Sequence, residues 1–340
     1  MPVSKGYLLK RIILLFVVVF GVLIITFVMT RVIPAHPELL WAGPHATAEQ
    51  IQQARIQLHL DKPIYVQLYY YLADFMRGDW GVSWRTRQPV LSDILTYLPA
   101  TLEITTAAIA IAFLLGVPLG MQAAIRYNTY LEKAISILSA LGASVPVFWL
   151  ALIVQTVFGI WLGWLPAGKR IDEVLAMQTG FHPITNFYLL DSILEGNLPV
   201  FLDVLKRMIL PVSILSIYPL SLTVRMTRSL TIEALNENYV RAINIWGIPK
   251  RRVMTKYVLK NIISPVVASL GLTYGYTITG ALMVELVFVY PGIGYYIGMA
   301  LLSYDYPAIT GSIVFIALIY STINFAVDLL HAWLDPRVKL

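Results

Sequence analysis

Cysteine is absent from this chain of 340 residues, and charged residues are scarce. Without cysteine the protein can form neither a disulfide nor a thiolate metal site. Charged side chains make up only 13% of the sequence, against about 25% in soluble domains. Hydrophobic residues reach 58% and occur in runs much longer than the roughly 4–8 residues of a buried strand. Much of the surface is therefore predicted to face lipid rather than water.

The sequence also lacks the usual signatures of a catalytic or nucleotide-binding chain. Neither a Gly-x-Ser-x-Gly nor a His-Glu-x-x-His motif is present, so we predict no enzymatic activity. The stretch from Gly163 to Lys169 matches most of a nucleotide-binding P-loop, but Arg170 stands where that loop needs a Ser or Thr to ligate magnesium. We expect no bound cofactor and no metal, since the histidines show no close pairing. The five histidines are His36, His45, His59, His182 and His331.

Six apolar stretches are each long enough to cross a bilayer, whose hydrocarbon core takes about 20 helical residues. The first is longer than a signal-peptide core, and the sequence after Arg31 is a poor cleavage site, so we expect a retained helix. Pro146 is expected to kink the third stretch, because proline removes a backbone donor. The predicted spans lie at about 12–30, 102–124, 134–164, 208–224, 264–289 and 308–330.

The remaining sequence divides the chain into two parts. Residues 33–98 are rich in proline and too polar to cross a membrane, and a short helix is predicted from Ala48, with Thr47 as its N-cap. We therefore predict an N-terminal part, residues 1–98, made of one transmembrane helix and an external segment. Residues 99–340 would carry the other five helices. The predicted fold class is an all-α polytopic membrane protein with six transmembrane helices.

The distribution of charge predicts the orientation of the chain. The termini and the loops 125–133 and 225–262 hold 15 of the 25 Lys and Arg residues but only 4 of the 19 acids. Positive residues concentrate on the cytoplasmic side of membrane proteins. Both termini and both basic loops are therefore predicted to be cytoplasmic. Because topology accounts for the basic charge, no nucleic-acid partner is needed.

The basic loop at 225–262 has an unusual internal pattern. The residues from Tyr239 to Trp246 have the spacing of a short helix, and Gly247 after it is typical of a helix end. Pro249 can open a second helix at its first turn. The sequence thus predicts a helix–Gly–helix elbow around Gly247.

Such an elbow suits helix-in-groove docking onto a partner at the cytoplasmic face. From the spacing alone, a solvated basic loop that only sets the topology is an equal alternative. The predicted contact residues are Tyr239, Val240, Ala242 and Ile243, with Arg241 as an orienting charge.

The elbow resembles the coupling loop of type I ABC importer permeases, in the branch that transports peptides. The Glu-Ala-Ala triplet of the general motif is absent, because Arg241-Ala242-Ile243 stands in its place. The matching residues are Tyr239-Val240-Arg241-Ala242, Gly247 and Arg251-Arg252-Val253. The resemblance implies ATPase coupling by Tyr239, Val240, Arg241, Ala242, Gly247, Ile248 and Pro249.

Shorter matches to dipeptide and oligopeptide permeases follow in order along nearly the whole chain. Each is weak alone, but their order and spacing together are specific. One departure is Pro34-Ala-His-Pro, where the family pattern resembles Pro-Gly-Asp-Pro. The matches are Thr47-Ala-Glu-Gln-Ile, Leu60-Asp-Lys-Pro, Gly78-Asp-Trp-Gly-Val-Ser, Leu98-Pro-Ala-Thr-Leu-Glu, Leu165-Pro-Ala-Gly, Glu285-Leu-Val-Phe, Tyr290-Pro-Gly-Ile-Gly, Asp305-Tyr-Pro, Asn324, Asp328 and Asp335-Pro-Arg.

This resemblance implies a type I ABC transmembrane domain over residues 99–340, in a permease subunit of the plasma (inner) membrane that does not hydrolyse ATP. It implies a homologous second permease, two cytoplasmic ATPases that bind ATP and magnesium, an external substrate-binding protein and contact with lipid. The expected substrate is a di- or oligopeptide, with an oligosaccharide as the alternative. An ion-driven secondary transporter is less favoured, since neither an inverted repeat nor ionisable residues at the midplane are clear.

Three residues are weak candidates for the substrate passage, namely Pro146, Glu285 and Asn324. A charge within an apolar span is a functional candidate by default, because its burial in lipid is costly. Glu285, Asn324 and the nearby Asp328 would more simply cap or brace helix ends, and we favour that interpretation. Pro146 would either shape a cavity or only kink its helix.

Overall fold

The computed structural model describes residues 5–33, 36–43 and 45–334, and over these residues the chain is helical without a β-strand. Fifteen α-helices occur in this described part. They are α1 (Lys5–Phe27), α2 (Pro37–Ala42), α3 (Ala48–Gln57), α4 (Ile64–Met76), α5 (Val90–Ile125), α6 (Tyr130–Ser144), α7 (Val147–Val154), α8 (Glu173–Thr179), α9 (Tyr188–Leu194), α10 (Leu198–Asn236), α11 (Asn238–Ile245), α12 (Lys250–Arg252), α13 (Leu259–Val287), α14 (Ile293–Leu302) and α15 (Tyr306–Leu334). π-Helical turns extend three of them, at Val28–Val32, Gln155–Trp161 and Val253–Val258.

Several helices are long and apolar enough to cross a membrane, which confirms the all-α polytopic class. Among the described residues, the four that qualify singly are Leu9–Val32, Val90–Ile125, Lys250–Val287 and Tyr306–Val327. A fifth results if α6 and α7, with the π-helical turn that follows, are counted as one bent span. α10 is longer still, with 39 residues, and much of its length is buried among the other helices.

Two helices extend well beyond their predicted spans. α5 begins at Val90 rather than near 102, and α10 runs over Leu198–Asn236 rather than 208–224. The added residues at the start of α5 include polar side chains such as Asp93, which is buried and accepts a hydrogen bond from the Thr86 hydroxyl in the preceding segment. An apolar-run criterion misses such turns, because neighbouring protein rather than lipid covers them.

The prediction of a single kinked helix over 134–164 is wrong. α6 ends at Ser144, α7 begins at Val147, and their axes differ by 102°. Pro146 is the N-cap of α7, and the residue before it, Val145, is extended at φ −82° and ψ 131°. A proline disfavours the helical conformation at the preceding residue, so the chain turns here instead of bending gently.

Small residues bring the central helices close together. A side-chain carbon at Gly120 of α5 would lie 2.7 Å from Thr227 of α10, so only glycine permits this crossing. In the same way, a carbon at Gly271 or Gly275 of α13 would collide with Val327 or Tyr320 of α15.

The segment between α1 and α5, called the outer segment because it is predicted to be external, contacts the start of α15 through its described residues. Thr47 forms a capping box with Gln50 at the start of α3, which confirms the predicted N-cap. The Ser83 hydroxyl donates to the carboxyl of Asp305, 2.6 Å away, just before α15. Pro34 and the motif at Asp335 lie outside the described residues.

Candidate functional site

The elbow, defined here as residues 237–249, connects α10 to the helix that leads into α13. Glu237 breaks the helix with an extended backbone (φ −68°, ψ 146°), and α11 follows directly. Gly247 has φ +71°, a left-handed conformation that favours glycine, and no atom would contact a side-chain carbon there within 4 Å. Pro249 is the N-cap of the next helix, which runs from Lys250 through a π-helical turn into α13. The predicted order of helix, glycine and helix is therefore present.

The inner face of α11 is packed onto the chain's own core. Val240 is fully buried and Ile243 is 8% exposed, in a cluster with Val253 and Val258. Tyr239 is partly buried, and its hydroxyl accepts a 2.8 Å hydrogen bond from the amide of Asn261. The prediction that Val240 and Ile243 contact a partner is wrong, because their spacing reflects internal packing.

The outward surface of the elbow includes residues that the sequence interpretation missed. Ile245 is 83% exposed and Trp246 is 79% exposed, beside the exposed Arg241 and Ala242. Contiguous exposed apolar groups mark interaction sites, and tryptophan is enriched among the residues that contribute most to protein contacts. Their positions around the helix could have revealed this surface. Ile245 lies about 200° from Ile243 around a helix, so the two residues cannot share one face.

An ion pair holds the neighbouring loop against α10. The Arg228 guanidinium lies 2.9 Å from the carboxylate of Glu132 at the start of α6. Thr129 caps α6 by accepting from the Glu132 amide. The two basic segments predicted to share one side of the membrane are thus in direct contact.

Glu285 lies at the opposite end of α13 and is fully buried. Its carboxyl group accepts a 2.6 Å hydrogen bond from the Thr101 hydroxyl and a 3.0 Å bond from the backbone N–H of Tyr295. A side-chain carbon at Gly292 would lie 2.4 Å from this carboxyl group. Because its side chain is fully enclosed by these contacts, Glu285 braces α5, α13 and α14 and offers no surface to a substrate.

The other two passage candidates have different surroundings. Pro146 is exposed and lines a cavity of about 280 Å³ between the α6–α7 bend and α10. The side-chain oxygen of Asn324 is buried in α15 and has no hydrogen-bond partner among the described residues. The side chain of Asp328 lies outside the described residues. The structure does not bring Pro146, Glu285 and Asn324 into one site.

The basic residues at the end of the P-loop-like segment form contacts within the chain. Lys169 forms a 2.8 Å ion pair with Glu173, and both side chains are exposed. Arg170 is 3% exposed, lies 2.6 Å from the Glu103 carboxylate and stacks over the ring of Tyr188. Burial raises the pKa of the adjacent Tyr290 hydroxyl above its ordinary value. These contacts hold the loop after α7 in place, and the backbone N–H groups of Trp164, Leu165 and Lys169 donate to carbonyl groups of the chain itself.

Comparison with known proteins identifies the family of this chain. The family described as binding-protein-dependent transport system inner membrane component matches residues 116–340, and its N-terminal counterpart matches residues 5–105. The chain belongs to this family. It is accordingly a multi-pass membrane permease of an ABC importer.

Similar family members are known in several bacteria. A probable D,D-dipeptide transport system permease of Escherichia coli K12 is 40% identical, over 95% of this chain and 94% of the relative. A dipeptide transport system permease of Alkalihalophilus pseudofirmus is 36% identical, over 98% and 99%. A chain of the inward-facing MetNI methionine ABC transporter has a TM-score of 0.55 at 14% identity, over 73% of this chain and 98% of that one, which shows the shared fold.

Proposed function

We propose that this permease forms half of a passage that imports di- or oligopeptides. The relatives named above cover almost the whole chain and are named for dipeptide transport, which supports this substrate class. A homologous second permease would supply the other half. The outer segment, residues 33–98, would contact an external substrate-binding protein, because its Ser83 is hydrogen-bonded to Asp305 just before the proposed sixth span.

The proposed topology has six spans with both termini in the cytoplasm. The bent α6–α7 pair is the third span and α10 is the fourth. A 39-residue helix is about 58 Å long, which exceeds the roughly 30 Å hydrocarbon core. An even number of spans places the basic termini, the loop at 125–133 and the elbow on one side, in agreement with the positive-inside rule.

The single observation that carries the proposal is the solvent-facing apolar surface of the elbow. We infer that Ala242, Ile245, Trp246 and Gly247 enter a groove on a separate ATPase subunit, with Arg241 orienting the helix. Tyr239, Val240, Ile248 and Pro249 would support this surface from within the chain. The permease itself would bind no cofactor, and ATP with magnesium would reside on two partner ATPases.

Coupling would follow from how the elbow is attached. Val240 and Ile243 pack against Val253 and Val258, which belong to the helical stretch that becomes α13. When ATP draws the two ATPases together, the elbow would move with them and shift α13. The passage would then switch between outward and inward access, because nucleotide binding favours one of two states.

Co-purification and uptake test this function together. The tagged permease, expressed with its neighbouring genes, should retain an ATPase subunit, and proteoliposomes should accumulate a labelled dipeptide only with ATP and the binding protein. Uptake driven by an ion gradient in the absence of ATPase subunits would contradict the proposal. Labelling of a Trp246→Cys variant from outside intact cells would contradict the orientation.

A further inference from the structure

A cavity of about 670 Å³ lies beside the elbow and is not explained by ATPase coupling. It is formed by the end of α5, the last turn of α10, α11 and the helix that starts at Lys250. Its volume is in the roughly 300–1,000 Å³ range of ligand sites. The lining residues are Val117, Pro118, Met121, Gln122, Ile125, Leu235, Asn244, Lys250, Arg251, Val253, Met254, Thr255 and Leu259.

The lining combines an apolar wall with two cations. α5 supplies Val117, Met121 and Ile125 to the wall, while Lys250 and Arg251 are the charged lining residues. No acid lines this cavity among the described residues. A ligand that fits both parts must carry an anionic group and a long apolar portion.

A neighbouring cavity of about 450 Å³ provides an internal contrast. It is lined by Glu233 and Glu237, and by no Lys or Arg of the described chain. Glu233 lies about 200° around α10 from Leu235, so the two cavities lie on opposite sides of that helix. The cationic character is therefore specific to one side of the elbow and is not a general property of the basic loop.

We propose that the cationic cavity binds an anionic phospholipid of the cytoplasmic leaflet. The phosphate would lie between Lys250 and Arg251, since guanidinium groups match phosphate oxygens in pairs, and the Asn244 amide would reach the headgroup. An acyl chain would follow the apolar wall toward Val117. Basic pockets between spans on the cytoplasmic side are suited to anionic headgroups. A free phosphate would leave that wall facing water. The assignment relies on the cytoplasmic orientation in the proposed function.

The test is lipid retention by the transporter purified with its partner subunits. Native mass spectrometry would compare the apparent affinity for phosphatidylglycerol with that for phosphatidylcholine. We expect the wild type to prefer phosphatidylglycerol. A Lys250→Ala/Arg251→Ala variant should bind phosphatidylglycerol about 25-fold more weakly, because each cation near a membrane surface contributes about fivefold to the affinity. The matched control is Arg252→Ala/Lys256→Ala. It removes the same charge from exposed side chains of the same stretch that do not line the cavity.

A second variant tests the cavity without changing charge. Gln122 is exposed and lines the cavity, so Gln122→Trp should fill it from the surface and weaken phosphatidylglycerol retention at least fivefold. Equal retention of both lipids by the wild type would overturn the proposal. So would an equal loss in the control pair, or displacement of the lipid when the ATPases bind. Failure of peptide uptake with lipid retention intact would instead count against the proposed function alone.

Discussion

The two ends of α13, called inner and outer after the proposed topology, are built in opposite ways. At the outer end the carboxyl group of Glu285 is fully buried, and hydrogen bonds and close glycine contacts hold it in place. At the inner end the elbow is attached mainly through hydrophobic contacts, and Gly247 turns in open space. Directional bonds fix one geometry, whereas apolar packing tolerates small shifts. The outer end is thus suited to keep a fixed geometry, and the inner end to be displaced by a bound partner.

The largest expected effect is at the inner end. Gly247→Pro should abolish uptake without loss of membrane insertion, because proline cannot adopt φ +71°. Uptake and membrane insertion would be measured in parallel. Gly163→Pro is a matched control, since Gly163 also has a positive φ (+60°) and open surroundings but lies outside the elbow. Normal uptake by Gly247→Pro would count against the elbow as the coupling element.

The next effect is on stability at the outer end. Glu285→Ala should lower the free energy of unfolding by about 3 kcal/mol, because it leaves the Thr101 hydroxyl and the Tyr295 N–H buried without an acceptor. Denaturant unfolding in detergent would measure this. Glu173→Ala, which breaks an exposed ion pair, should cost less than about 1 kcal/mol. If both variants lose the same free energy of unfolding, the buried contacts of Glu285 do not make the outer end rigid.

A smaller effect is expected on partner binding. Trp246→Ala should weaken ATPase retention about tenfold to thirtyfold, as for a tryptophan at the centre of an interface. Titration of purified ATPase onto the permease in nanodiscs would measure it. Trp161→Ala, at a residue that is 77% exposed and far from the elbow in sequence, should leave retention unchanged. Equal affinities for both variants would show that the exposed face of α11 is not the contact.

The smallest effect is predicted for the P-loop-like segment. Lys169→Ala should leave the ATPase rate of the assembled transporter unchanged and alter stability by less than about 1 kcal/mol, since its partner Glu173 is exposed. A large loss of ATP hydrolysis would reveal a nucleotide role that the geometry gives no reason to expect.

The sequence predicted the fold class and the elbow because both depend on local signals. Long apolar runs mark spans, and Gly247 with Pro249 marks the boundary between two helices. The early start of α5 was missed, because tertiary contacts decide whether polar turns are tolerated. At Pro146 a kink was predicted, but the full 102° turn was not, because proline permits a kinked helix as well as a broken one. The buried side of α11 was read as a contact surface for a related reason. Periodicity shows that Val240 and Ile243 face something apolar, but not whether that is the chain itself or a partner.

The helix from Lys250 to Val287 is about 57 Å long, including the π-helical turn at Val253–Val258, and this exceeds the roughly 30 Å of a hydrocarbon core. One end emerges from the elbow, and the other carries the carboxyl group that caps α14. In the proposed topology, a displacement of a few ångströms on one side of the membrane would therefore need no relay of loosely packed side chains to reach the other. One uninterrupted helix would allow the ATPase-facing end and the substrate-receiving end to move together.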